Sequence, residues 1–149
     1  MTPPTLGPGV AAPSARRVGP VDAIRLTDEQ RRLLETLAKR DREVRAHEQA
    51  HVEAGRPYAG PPVYAFERGP DGRRYAVSGA VAIDASPVKG DPRATAEKMR
   101  VVERAALAPA EPSPQDRRIA ALARAEMARA LAELALAMSP PRPGLLARV

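Results

Sequence analysis

The chain has no cysteine and no tryptophan, and only one phenylalanine, three tyrosines and two histidines among its 149 residues. Without cysteine there are no disulfides, no thiolate nucleophile and no cysteine-based zinc site, so any metal must be held by His, Asp or Glu. With so few aromatics, the core has to be built from alanine, leucine and valine, a composition that points to helices. No apolar run reaches the roughly 20 residues that cross a bilayer. Residues 1–20 hold Pro, Gly and Ala with Arg16 and Arg17, but not the continuous apolar segment of a secretory signal. A cytoplasmic location, with no transmembrane segment, is the resulting expectation. The net charge of +6 and pI near 10.4 come from arginines spread along the chain rather than from a Lys/Arg block. A basic helical protein using Arg117, Arg118, Arg124 and Arg129 on nucleic acid is conceivable on charge, but no recognised nucleic-acid motif supports it.

What the chain does contain is arranged in blocks. Residues 1–25 carry five prolines and no apolar periodicity, the composition of a disordered leader, and Pro140, Pro141 and Pro143 mark a tail over 139–149. One domain is expected between them, over residues 26–138. Thr27 with Gln30 forms a capping box opening a helix that runs through Leu33, Leu37, Val44 and His51 and stops at Gly55 ahead of Pro57. Three short alternating segments follow, Val63–Glu67, Arg74–Ser78 and Ala80–Asp84, separated by Gly69-Pro70-Asp71-Gly72 and by Gly79. The first two predict a hairpin; the third extends it as a meander or bends away at Gly79. Asp91-Pro92 opens a second helix that Pro109 ends. Ser113-Pro114 opens a third, with Asp116 closing a capping box and Ile119, Leu122, Met127, Leu131 and Leu134 on one side. The fold class expected is α+β, mostly helical with a small antiparallel hairpin or meander.

Both histidines lie in one pentapeptide, His47-Glu48-Gln49-Ala50-His51, inside the first predicted helix. A spacing of four puts the two imidazoles one turn apart on one face, where they can ligate a single zinc. Glu48 is then the general base, taking a proton from a water that the metal has activated. Surface histidines on an amphipathic helix are the bland alternative. At 100° per residue, however, Leu33, Leu37, Val44, His47 and His51 share a wedge of about 80°, which places the histidines on the stripe facing the core, although Arg40 falls there too.

Beyond the pentapeptide, several stretches occur in a characteristic order. They are Arg40 to His51, Tyr58-Ala59-Gly60, Gly69 to Gly72, Tyr75-Ala76-Val77, Ile83-Asp84, Gly90 to Thr95, Ala105 to Pro109 and Pro112 to Arg117. In these the chain resembles the SprA-related family of predicted bacterial metalloproteases, over roughly residues 35–125. The resemblance implies a zincin-like domain with Zn2+ on His47 and His51, Glu48 as catalytic base, and a peptide or protein as substrate. Gly55-Arg56 and Ala80 stand where the family has a Gly-Gly pair and an acidic residue. Those departures leave a catalytically inactive metal-binding or protein-interaction module as the alternative.

A catalytic zinc takes three protein ligands, and with no further His or Cys the third must be a carboxylate. Asp84, ending the third predicted strand on the face of Ala80 and Ala82, is the first choice; hydrogen bonding to the turn at Ser86-Pro87 explains it equally well. Glu103 is the rival, on the apolar stripe with Met99, Val102 and Ala106, where an ion pair with an arginine is the competing explanation. Asp91 and Asp116 are each explained as helix N-terminal residues. Asp41 can orient a histidine from behind the ligands, and Tyr58 can offer a hydroxyl to an oxyanion.

Overall fold

The computed structural model describes residues 25–140, so the leader and tail expected at the two ends lie, apart from Arg25, Ser139 and Pro140, outside the described residues. Five elements follow in order: α1 (Asp28–Gly55), β1 (Ala59–Arg68), β2 (Arg74–Ile83), α2 (Pro92–Ala106) and α3 (Pro114–Met138). The fold is α+β, three helices with one two-stranded antiparallel sheet.

The helix boundaries follow from caps. Thr27 accepts from the Gln30 amide while the Gln30 side chain accepts from the Thr27 amide, closing the capping box of α1. Ser113 and Asp116 repeat the device at α3, and the Asp91 carboxylate accepts from Ala94 at the start of α2. Each of these holds a backbone N–H that the helix itself leaves without a partner.

The three expected strand segments form two strands, because β2 continues through Gly79 without a break. The ladder shifts register twice, between Ala59 and Pro62 and again at a bulge, where Ala65 pairs with Ser78 and Phe66 with Ala76, leaving Val77 without a partner. One extra residue flips the side chains that follow to the other face. Ala76 is buried before the bulge, and Gly79, Val81 and Ile83 are the less exposed positions after it. Asp41 and Arg40 of α1 bind the strand at this point, the Asp41 carboxylate accepting from Ala76 N at 2.7 Å and Arg40 Nε donating to Val77 O at 3.0 Å.

Among the described residues the centre of the core is small: Met99, Val102 and Ala123, with Ile83, Ala85, Ile119 and Met127 packed around them. α3 meets α2 through Ala120, Ala123 and Ala130, whereas Leu122 and Leu131, expected on the packed side, are 50% and 43% exposed. Alanine wins these positions because it lets two helix backbones approach closely. The end of α1 approaches α2 equally closely. A Cβ added at Gly55 would lie 2.6 Å from Ala59 Cβ and 3.1 Å from Ala105 Cβ.

Candidate metal centre

Three elements meet where α1 passes between β2 and the α2–α3 connection. The buried face of α1 carries Leu37, Val44, Glu48, His51 and Gly55, so its stripe is centred nearer Glu48 than the expected wedge, and Leu33 is left 45% exposed. His47 Nε2 lies 3.2 Å from Asp116 Oδ2, and His51 Nε2 lies 3.3 Å from Asp116 Oδ1. One donor atom from each of His47, His51 and Asp116 falls within 4.8 Å of the others.

Two of the three members, His51 and Asp116, are held from behind. His51 Nδ1 is 2.8 Å from the Ala105 carbonyl, which can only accept, so that nitrogen carries the hydrogen and Nε2 is the atom turned to the cluster. That carbonyl is in the last turn of α2, where it also accepts from Ala108 N at 3.3 Å, and the close pass at Gly55 brings it into reach. Asp116 is fixed by its capping box, with Ser113 N donating to Oδ2 at 2.7 Å. Burial pushes the Asp116 carboxyl up, but the Ser113 amide and hydroxyl and the two imidazoles outweigh it and hold the group below its ordinary value.

Glu48 is only 5% exposed and lies against β2, where Gly79 leaves room for it. It makes no hydrogen bond among the described residues, yet no side-chain oxygen there is both sealed and unpaired, so its carboxylate keeps contact with the space beside it. That space is an open cleft of about 1210 Å³ between α1, β2 from Ser78 to Ile83, and the Ala108–Glu111 segment.

A family model described as the SprA-related family matches residues 22–139. The chain belongs to the SprA-related family. No curated protein and no solved structure matches it.

In this member of the SprA-related family the carboxylate brought to the histidines is Asp116, not Asp84. Asp84 follows Ala80 and Ala82 on the exposed face of β2, which the bulge at Val77 turns away from α1. Its Oδ2 accepts from Lys98 Nζ at 2.7 Å and its Oδ1 from the Ser86 amide and hydroxyl, and these bonds hold its carboxyl well below the usual range. Glu103 pairs with Arg124, Asp91 caps α2 and Asp41 binds β2, so none of the three joins the cluster. Tyr58 lies under Lys98 and does not line the cleft. Arg56 caps the C-terminus of α1, and Ala80 sits on the exposed face of β2. A signal for Asp116 was present in the sequence, because it heads the series Ala120, Ala123 and Ala130, spaced by four, three and seven residues on one face of α3. Its role as a cap concealed that second role. Gly79 likewise reads as strand punctuation until the bulge is known.

Proposed function

We propose that the chain is a zinc-dependent metallopeptidase in which His47, His51 and Asp116 hold the metal and Glu48 is the general base. The observation that carries the reading is the convergence of the three donors with Glu48 beside them on the wall of an open cleft. The donor set fits zinc. Two imidazoles and a carboxylate are a ligand set that catalytic zinc takes, and one donor atom of each lies within 4.8 Å of the others. The Nδ1–H bond of His51 to a carbonyl is the support that metal-ligating histidines ordinarily have.

Zinc held there supplies Lewis-acid polarisation of a carbonyl and brings the pKa of a water towards neutrality. Glu48 takes a proton from the attacking water and returns it to the departing amine. Its enclosure between α1 and β2 restricts its rotamers and aims its free lone pairs at the cleft.

The edge of β2 favours a peptide as the substrate. Pro62 stands opposite Val81 and has no N–H, so that pair does not exchange hydrogen bonds. Opposed residues alternate between exchanging and non-exchanging pairs, which makes Gly79, opposite Tyr64, non-exchanging as well. The main-chain groups of Val81 and Gly79 then face the outer edge, the edge on which Ala76 meets Asp41. No side chain among the described residues binds them. An extended peptide can add to such an edge as a third strand, next to Glu48.

The test is the zinc content of untagged protein, together with hydrolysis of a mixture of quenched fluorescent peptides by wild type and Glu48→Gln. About one zinc per chain is expected in both proteins, with turnover at least 10²-fold lower in Glu48→Gln. Absence of zinc after it is supplied, or a fully active Glu48→Gln protein, would overturn the proposal. Zinc without turnover would point to the metal-binding module instead.

A further inference from the structure

Among the described residues Glu48 has no hydrogen-bonding partner to fix it, so its position depends on what it packs against. That surface is Gly79. A Cβ built there would lie 2.6 Å from Glu48 Cγ, 2.9 Å from Cδ and 2.8 Å from Oε1, all inside the 3.0 Å limit that real Cβ contacts respect. The nearest atom is Cγ, one bond from the anchored Cβ, so swinging the carboxylate tip cannot relieve the overlap. The whole side chain has to move, or the strand has to lift off the helix. Gly79 reaches this position only because Val77 is bulged; in unbroken register with Ala76, Ser78 and Ala80 would face α1.

We propose that Gly79 is a positioning residue: its missing side chain is the seat that holds the Glu48 carboxylate in the cleft, and any substituent there displaces the base. The catalytic consequence rests on the metallopeptidase reading; the seat itself does not. Any larger residue at position 79 therefore leaves His47, His51 and Asp116 in place while moving Glu48. A misplacement of the order of 1 Å costs about 10²-fold in rate.

Two readouts separate the seat from the activity. The first is a thermal-stability cycle on zinc-loaded protein comprising wild type, Gly79→Ala, Glu48→Ala and the double variant. Gly79→Ala is expected to lower the thermal midpoint in the Glu48 background and to have little effect in the Glu48→Ala background, where the opposing atoms are gone. The second readout is hydrolysis of the quenched peptide mixture. Gly79→Ala should retain about one zinc and lose about 10²-fold in kcat/KM. Equal midpoint losses in both backgrounds, or near-wild-type turnover by Gly79→Ala, would overturn the proposal. Coupled midpoints in a wild type that cleaves nothing would support the seat and refute the metallopeptidase reading.

Discussion

Asp116 performs two tasks with one carboxylate, closing the capping box of α3 and facing both imidazoles. On the proposed reading, Asp116→Asn loses zinc while Asp84→Asn keeps it, a contrast that metal analysis of the two purified variants checks directly. Asp84 matters instead for acid stability. Lys98, with its side chain 6% exposed, and Ser86 hold the Asp84 carboxyl below its ordinary value of 3.8. A lowered folded pKa contributes stability above the unfolded value and loses it as pH falls through the folded one. From about pH 4 downward, the wild-type midpoint should therefore fall more steeply than that of Asp84→Asn, as pH-dependent melting without added metal would show. The residues whose chemistry is local, His47, Glu48 and His51, were legible in the sequence because helical spacing alone puts them together. The partner of a residue, by contrast, depends on packing. Asp84 and Asp116 are both acids near structured turns, and only the fold decides that one meets a lysine and the other two histidines.

Among elements, helix starts were legible to within a residue because caps are short-range chemistry: Thr27 with Gln30, Asp91 with Pro92, Ser113 with Asp116. The strands were read less completely. Gly79 looked like a break and is a continuous part of β2, while the irregularity within β2, at Val77, has no sequence mark because bulges depend on the opposing strand. Similarly, the leucines of α3 looked like its packed face, whereas close helix approach selects the alanines. The hairpin turn offers a clean test of backbone effects. Gly72 has φ 79° and open space where a side chain would go, so Gly72→Ala meets no clash and pays only for the left-handed conformation. A loss of about 1 kcal/mol is expected by denaturant titration, without change in zinc content.

Among the described residues there is little apolar mass at the centre of the molecule; the largest fully buried side chains are Met99 and Val102. On the proposed reading, a metal joining α1 to α3 would add a link that such a core lacks. Zinc at about 1,000 times its dissociation constant stabilises the folded state by roughly 4 kcal/mol, equivalent to a rise of roughly 10 °C or more in the midpoint. Calorimetry with zinc and then with a chelator would measure the rise and its reversal. A midpoint insensitive to both would show that the metal does not join the two helices.

His51 and Asp116 stand 65 residues apart in sequence, with the hairpin and all of α2 between them. A chain emerging from the ribosome therefore presents its two histidines and its base long before the third donor exists. If Asp116 is required for zinc, the newly made protein is inert until α3 has docked, and the capability to cut arrives only with the completed fold.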